Sequence, residues 1–291
     1  MNALHAGDTV ALVTPAGPVR PELLDQATAA LEGWGLTVKR FASAGNQHPV
    51  FRYLADTDER RAADFQTAWL DPAVSAVISA RGGYGTQRML DLLDWDALRA
   101  AGPKVFTGSS DVTALHQAIA ARLGLPTVFS PMPGGSLWDD GSSAHLHRVL
   151  FDPAAPVVVH APEALVPGTA EGTTTGGNLS LLAAGVGTPE HRAPAGAIAI
   201  LEDVAEAPYR LDRMLTQLLR GGWFAGVTGI VLGSWTRCGD LDVVRSVMLD
   251  RLAPLGVPVL WEAGFGHLPG SVTIPLGVPA TIDGRTLTCG S

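Results

Sequence analysis

A short run of small polar residues, Thr107-Gly108-Ser109-Ser110-Asp111, is the sharpest candidate for chemistry in this sequence. It stands between an apolar segment, Lys104 to Thr107, that predicts a buried strand and a segment, Asp111 to Leu123, that predicts a helix. A serine at a tight strand-to-helix turn is exposed at the carboxyl end of the sheet, where the N–H groups of the helix start can stabilise an oxyanion. The same residues can equally cap the helix, which is the commoner role.

A serine nucleophile requires a base, and His267 is the histidine best placed to be one. It follows Gly264-Phe265-Gly266 shortly after an apolar segment, so we expect it on a loop at a strand end. His116 lies about 9 Å further along the same helix as the serines and is expected to pack there. His145 and His147 form a His-x-His pair without further ligands of suitable spacing, so no metal site is predicted.

An acid that would orient the imidazole is available in Leu201-Glu202-Asp203-Val204. The apolar run Ala197 to Leu201 predicts a strand, so Glu202 or Asp203 lies at its end. A carboxylate there can hold the Nδ1–H of a histidine and stabilise the imidazolium. The alternative is that both acids cap the helix predicted to begin near Pro208. The order serine, carboxylate, histidine occurs among known triads, although geometry defines a triad.

A glycine cluster, Arg81-Gly82-Gly83-Tyr84-Gly85, follows another predicted strand. It does not match the glycine patterns of dinucleotide or nucleoside triphosphate sites. The first turn, Thr14-Pro15-Ala16-Gly17-Pro18, has two prolines where a dinucleotide fold needs glycines. We therefore expect neither cofactor, but a glycine N–H here can approach an oxyanion closely.

Composition limits the class of protein. With 291 residues, 46% hydrophobic and 16% charged, the chain has ample apolar material for packed cores, and disorder is excluded as the dominant state. The net charge of −8 argues against a nucleic-acid partner. Two cysteines, Cys238 and Cys289, are too few for a disulfide framework. There is neither a secretory signal pattern nor an apolar run of about 18 residues, so we expect a cytoplasmic protein that does not contact membranes.

The order of elements predicts two domains. Strand-like and helix-like segments alternate in the first half, which is typical of an α/β protein with a parallel sheet covered on both faces. The region 151–172 is interrupted by Asp-Pro, Ala-Pro and Val-Pro steps and is interpreted as a linker. Further strands and helices follow, and the chain ends in short strands with an Asp283-Gly284 turn. We therefore predict an N-terminal domain at 1–150, a linker at 151–172 and a C-terminal domain at 173–291.

Six blocks of sequence, in order over nearly the whole chain, resemble the LD-carboxypeptidase family of serine peptidases (muramoyltetrapeptide carboxypeptidases), which includes the microcin C immunity peptidases. The blocks are Arg81 to Gly85, Gly108 to His116, Gly176 to Ser180, Leu201 to Asp203, Pro208 to Leu215, and Gly266-His267 followed by Ile274 to Gly277. The resemblance implies a Rossmann-like N-terminal domain with a parallel sheet, a β-rich C-terminal domain, a site at their junction and a homodimer.

The resemblance also implies roles for particular residues. Ser110 would be the nucleophile, His267 the base and Glu202 the acid that orients it. The backbone N–H groups of Gly83 and Asp111 would form the oxyanion hole, and no metal or cofactor is needed.

The activity implied by the resemblance is release of D-alanine from the cytoplasmic murein tetrapeptide during cell-wall recycling. A carboxypeptidase must bind a free terminal carboxylate, for which Arg81, Arg210 and Arg213 are the candidate cations.

Two other functions remain open. Hydrolysis of aminoacyl or peptidyl nucleotides, as in the immunity peptidases, would need an aromatic platform from tryptophans such as Trp138, Trp223 or Trp235. A ligand-binding protein that keeps the fold without catalysis would bind without turnover.

Overall fold

The computed structural model describes residues 2–290. Strands and helices alternate in the first half of the chain. In order they are β1 (Thr9–Val13), α1 (Pro21–Gly33), β2 (Thr37–Arg40), α2 (Asp58–Leu70), β3 (Val74–Ser79), α3 (Thr86–Met89), α4 (Trp95–Ala100), β4 (Val105–Gly108), α5 (Thr113–Leu123), β5 (Thr127–Phe129) and α6 (Asp140–Phe151).

The second half is richer in strands. Its elements are β6 (Val157–His160), β7 (Glu163–Val166), β8 (Thr169–Asn178), α7 (Leu179–Ala184), β9 (Ala197–Val204), α8 (Pro208–Arg220), β10 (Val227–Thr236), α9 (Leu241–Leu252), β11 (Val259–Trp261), β12 (Ile274–Leu276), β13 (Pro279–Asp283) and β14 (Thr286–Cys289).

The first sheet has the order β2-β1-β3-β4-β5-β12. Strands β1 to β5 are parallel, and β12 pairs antiparallel with β5. The strands at its centre are nearly continuous apolar runs because helices cover both faces of the sheet. The predicted α/β class and the parallel N-terminal sheet are confirmed.

The second sheet is mixed, with the order β6-β14-β13-β8-β9-β10-β11-β7. Strands β8 to β11 are parallel at its centre, and antiparallel strands flank them on both sides. The Asp283-Gly284 turn joins β13 to β14, as the sequence predicts. The β-rich character of the C-terminal half is thereby confirmed.

The region 151–172 differs from the linker expected there. It contains β6, β7 and the first residues of β8, all of which belong to the second sheet. Its prolines lie outside β6 and β7 or at their ends, where no ladder N–H is required. The second half of the chain also contributes one strand to the first sheet, because Ile274 of β12 pairs with Phe129 of β5.

The two halves share a hydrophobic core. One cluster of buried side chains includes Phe129 from the first half with Ile200 and Phe265 from the second. The rings of Phe129 and Phe265 meet edge to face, with centroids 6.0 Å apart. The carboxyl ends of β4 and β9 lie near each other, because Ser110 after β4 and Val204 at the end of β9 line one cavity. Within residues 2–290, no helix is both long enough and apolar enough to cross a membrane.

Candidate active site

Ser110 lies at a constrained turn between β4 and α5. It begins a 3-10 turn, Ser110–Val112, and has a φ of 59°, a left-handed conformation that costs a non-glycine residue on the order of 1–3 kcal/mol. Glycines make room for this turn. A Cβ on Gly108 would lie 2.6 Å from Val112 Cγ2, and one on Gly82 would lie 3.0 Å from Ser110 Oγ. The hydroxyl therefore lies directly against the glycine loop that follows β3.

Capping is not the role of Ser109 or Asp111 at this turn. Ser109 is the N-cap residue of the 3-10 turn, but its side chain makes no capping hydrogen bond. The buried Asp111 carboxylate instead accepts the Thr86 N–H at 2.8 Å, at the start of α3. Burial raises the pKa of Asp111, and the hydrogen bonds from Thr86 oppose that shift. Asp111 thus ties the serine turn to the glycine loop.

Glu202 and His267 form a short hydrogen bond. His267 Nδ1 lies 2.6 Å from Glu202 Oε2, and Glu202 is fully buried in β9. Because an ionised carboxylate only accepts, Nδ1 carries the proton and Nε2 is left as the basic nitrogen. Burial acts to lower the pKa of His267, but the charge and hydrogen bond of Glu202 outweigh it, so this pKa is raised.

The loop after β11 holds His267 in place. The Ser234 N–H donates to the Phe265 carbonyl at 2.8 Å, and Thr236 Oγ1 donates to the His267 carbonyl at 2.5 Å. Gly266 has a φ of 108°, and a Cβ there would lie 2.7 Å from Glu202 Oε2. Only glycine at position 266 lets the imidazole approach the acid this closely.

Asn178 connects the two neighbouring acids. Its side-chain Nδ2 donates to Glu202 Oε1 at 3.2 Å and to Asp203 Oδ1 at 3.1 Å. Asp203 Oδ2 accepts both the N–H and the hydroxyl of Ser180, at the start of α7. Burial, and then the charge of Glu202, raise the pKa of Asp203 to about 6. Asp203 therefore supports α7 and Asn178, and neither acid caps α8, whose N-cap is Ala207.

Ser110 and His267 line one cavity of about 310 Å³. Gly83 also lines it, and the N–H groups of Gly83 and Asp111 make no hydrogen bond to other residues in the described part of the chain. These free donors stand beside the serine, as an oxyanion hole requires. Trp138 contributes an indole to the wall of the same cavity.

The three arginines predicted to bind a substrate carboxylate occupy different places in the structure. Arg81 lines the cavity, whereas Arg210 and Arg213 do not. Arg210 pairs with Glu206 at 2.7 Å, and Arg213 lies over the Tyr209 ring. The expectation for Arg210 and Arg213 therefore finds no support, because α8 directs both side chains to the surface.

His116 packs as the sequence predicts and also supports the serine turn. Its Nε2 lies 2.9 Å from the Gly108 carbonyl, and its Nδ1 lies 2.8 Å from Thr127 Oγ1. Since a carbonyl only accepts, Nε2 donates and Nδ1 accepts the threonine hydroxyl. Burial lowers the pKa of His116 to about 4, so the ring is neutral. His147 stacks on Phe151, with ring centroids 4.2 Å apart.

Sequence reasoning missed three residues at this site. Asn178 and Thr113 stand within matched blocks but received no role, since an Asn before a helix ordinarily signals only a cap. Arg237 lies near enough to His267 that its charge acts to lower the pKa of that imidazole. Arg237 has a φ of 58°, a left-handed backbone conformation. The neighbouring residues of the sequence do not predict this conformation.

Comparison with known proteins finds a family model for each half of the chain. The family model described as the LD-carboxypeptidase N-terminal domain matches residues 10–130, and the one described as the C-terminal domain matches residues 171–282. A carboxypeptidase candidate of Streptomyces coelicolor is 52% identical, with 98% of this chain and 93% of that protein covered. The murein tetrapeptide carboxypeptidase of Pseudomonas aeruginosa is 34% identical, with 96% and 94% covered.

Two solved structures have the same fold. The muramoyltetrapeptide carboxypeptidase of Oxalobacter formigenes superposes with a TM-score of 0.85 at 29% identity, over 97% of this chain and 99% of that one. An MccF-like protein of Bacillus anthracis superposes with a TM-score of 0.90 at 25% identity, over 99% and 98%.

Proposed function

Because the chain belongs to the LD-carboxypeptidase family, we propose that it is a serine carboxypeptidase that releases D-alanine from murein tetrapeptide by hydrolysing an L,D peptide bond. The observation that carries the proposal is the Glu202–His267 hydrogen bond at a cavity that Ser110 also lines. The Pseudomonas aeruginosa relative named murein tetrapeptide carboxypeptidase supports the substrate class.

The proposed reaction uses Ser110, Glu202 and His267 as a triad. Ser110 Oγ attacks the carbonyl carbon of the scissile bond while His267 Nε2 takes the hydroxyl proton. The carbonyl oxygen gains negative charge and accepts the N–H groups of Gly83 and Asp111. His267 then gives its proton to the leaving nitrogen of D-alanine, and an acyl ester on Ser110 remains. Water, deprotonated by His267, hydrolyses that ester and restores the serine.

The surroundings of Glu202 suit its proposed role. Its Oε2 holds the His267 tautomer, while its Oε1 accepts the Asn178 amide, so both carboxylate oxygens have a donor. A carboxylate held in this way stabilises the imidazolium that forms during attack. The reaction also needs a cation for the terminal carboxylate of D-alanine, and we assign this to Arg81 because it lines the cavity.

Incubation with murein tetrapeptide and mass spectrometry of the products tests the activity. We expect the corresponding tripeptide and free D-alanine, and no product from the Ser110→Ala variant. Ser246→Ala is the matched control, because this serine lies on α9 outside the cavity and its hydroxyl donates to the Asp242 carbonyl. Unchanged tetrapeptide after long incubation with folded wild-type protein would contradict the proposal and favour binding without catalysis.

A second candidate is hydrolysis of aminoacyl or peptidyl nucleotides. It is favoured by the MccF-like structural neighbour and by Trp138, whose ring borders the cavity and offers a stacking surface for a base. By contrast, Trp223 and Trp235 are buried in the hydrophobic core of the second half. A non-hydrolysed adenylate analogue that competes with tetrapeptide only when Trp138 is intact would support this function.

The proposal includes a cytoplasmic homodimer, as in the family that the chain resembles. Light scattering coupled to gel filtration measures the mass of the assembly, for which the monomer is 30.3 kDa. Cell fractionation measures the location.

A further inference from the structure

Arg61 is a fully buried arginine of α2 that contacts the glycine loop after β3. Its guanidinium donates to three backbone carbonyls. The Nε–H donates to the Asp56 carbonyl at 3.2 Å, and Nη1 donates to the carbonyls of Pro15 and Gly85, the latter at 2.9 Å. Nη2 pairs with Asp58. The proposed reaction as described above gives this buried charge no role.

The contacts of this guanidinium favour a role in orienting the backbone. Taking a charge out of water is unfavourable, and apolar side chains of similar volume often serve a buried position equally well for stability. An apolar side chain cannot orient a carbonyl, however. The planar guanidinium of arginine directs several N–H donors at fixed angles, and Arg61 uses them on segments that are far apart in the chain.

The peptide group between Gly85 and Thr86 is held at both ends. Its carbonyl oxygen accepts Arg61 Nη1 at 2.9 Å, and its N–H donates to Asp111 Oδ2 at 2.8 Å. The backbone N–H of Asp111 is also one of the two proposed oxyanion donors. This peptide group therefore joins the end of the glycine loop to the turn that carries the serine.

The peptide group between Gly82 and Gly83 is held by the first turn of the chain. The Gly17 N–H donates to the Gly82 carbonyl at 3.0 Å. Because the C=O and N–H of a trans peptide point in opposite directions, this bond directs the Gly83 N–H away from the first turn. Nη1 of Arg61 holds the same turn through the Pro15 carbonyl. Both ends of the glycine loop thus depend on contacts of one guanidinium.

We propose that Arg61 is a positioning residue that fixes the two oxyanion donors, the N–H groups of Gly83 and Asp111, relative to each other. It does so by binding the first turn and the Gly85–Thr86 peptide group with one nitrogen. The inference rests on the proposed function, because the oxyanion forms only when Ser110 attacks. Since bound substrate carries no oxyanion, misaligned donors lower kcat and leave substrate binding unchanged.

Arg61→Lys keeps the positive charge but cannot direct donors to all three carbonyls at once. We expect kcat on murein tetrapeptide to fall by about 10- to 100-fold, with KM little changed. Arg245→Lys is the matched control, because it alters a bidentate ion pair with Glu163 on the second sheet, and its kcat should equal that of the wild type. Urea unfolding measures the stability of each variant.

A second variant serves if Arg61→Lys does not fold. Asp58→Asn removes the carboxylate that pairs with Nη2 and leaves the arginine in place. We expect a smaller fall in kcat, about threefold, again with KM little changed. Arg88→Gln is its control, because Arg88 is the other partner of Asp58 and should not affect kcat.

A fluorophosphonate probe reports on the oxyanion donors without recognition of a peptide. Ser110 Oγ forms a bond to phosphorus, fluoride leaves, and the serine proton goes to His267, while the phosphoryl oxygen accepts the Gly83 N–H. Mass spectrometry measures the rate of labelling, which Arg61→Lys should lower by about the same factor as kcat. Calorimetry on proteins that also carry Ser110→Ala should give the same Kd for tetrapeptide with Arg61 or Lys at this position.

The outcomes separate this role from the proposed function. Wild-type kcat and labelling in a folded Arg61→Lys protein overturn the positioning role. A fall in kcat that is matched by equally weaker tetrapeptide binding also overturns it, since Arg61 would then act on bound substrate. If the wild type is labelled at Ser110 but does not cleave tetrapeptide, the proposed function fails, and slower labelling of Arg61→Lys still supports the positioning role. Absence of both labelling and cleavage in the wild type overturns both.

Discussion

The backbone N–H of Asn178 donates a hydrogen bond to Thr113 Oγ1 at 3.0 Å. Thr113 begins α5, just after the Ser110 turn, and Asn178 ends β8 in register with Glu202 of β9. Gly177 makes the contact possible, because its φ is 134° and a Cβ there would lie 2.6 Å from Thr113 Oγ1. One hydrogen bond thus links the segment that carries the serine to the strands that carry the acid.

Loss of any member of the proposed triad should reduce turnover strongly. Ser110→Ala and His267→Ala are each expected to lower kcat by several orders of magnitude, because triad residues act as a unit. Glu202→Gln should cost less, since the base remains but loses its orientation. Circular dichroism checks that each variant is folded. Near-normal turnover by a folded Ser110→Ala protein would falsify the serine mechanism.

The pH profile should report His267. Attack requires the neutral imidazole, so kcat/KM rises with pH through the pKa of this residue. Because Glu202 raises that pKa, the limb of the wild-type profile should lie above about 6.5, the value of a free imidazole. Glu202→Gln removes the charge and should move the limb of its residual activity to lower pH. A limb in the same place in both proteins would show that Glu202 does not act on the base.

Asn178→Ala should affect catalysis more than substrate binding. The change leaves one oxygen of Glu202 and one of Asp203 without this donor in a buried site, which costs about 1–3 kcal/mol. We expect kcat to fall by about tenfold or more, with KM little changed. Gln217→Ala, which removes an amide hydrogen bond to the Ala183 carbonyl away from the cavity, is the control. Equal kinetics for the two variants would assign Asn178 a purely structural role.

The terminal carboxylate of the substrate should matter for a carboxypeptidase. Amidation is expected to lower kcat/KM by about 10- to 100-fold, corresponding to about 1.5–3 kcal/mol for one charged hydrogen bond. If Arg81 binds this carboxylate, Arg81→Gln should reduce the difference between acid and amide. Arg210→Gln, outside the cavity, should leave it unchanged. Equal rates on both substrates would exclude a carboxypeptidase without excluding the triad.

His116 should make stability depend on pH. Its pKa is about 4 in the folded protein and about 6.5 in the unfolded chain, so the unfolded chain binds the proton more readily. The contribution of His116 to the free energy of unfolding is complete above pH 6.5. As pH falls towards 4, about 3 kcal/mol of this free energy is lost. His116→Gln should flatten this part of the stability profile, measured by urea unfolding. An unchanged slope would contradict the buried neutral ring.

Local signals in the sequence were sufficient for the elements that carry the chemistry. The apolar run before Thr107 and the Gly-Ser-Ser-Asp turn predicted β4, the serine turn and α5, because strand burial and tight turns depend on neighbouring residues. The strand before Glu202 and the glycine loop at His267 were recognisable for the same reason. The region 151–172 was misjudged, since short edge strands between prolines have little local signal and form by pairing with distant segments.

The choices between alternatives depended on tertiary contacts. Local spacing left Glu202 and Asp203 as equivalent neighbours, and only the family resemblance singled out Glu202. In the structure, successive residues of a strand point to opposite sides, so Glu202 reaches His267 while Asp203 faces Ser180. The three arginines were likewise equivalent until the fold brought only Arg81 to the cavity. Residue type and local spacing thus determined which groups were available for catalysis. The packing of β4, β8, β9 and the His267 loop, which are far apart in the chain, decided which of them meet.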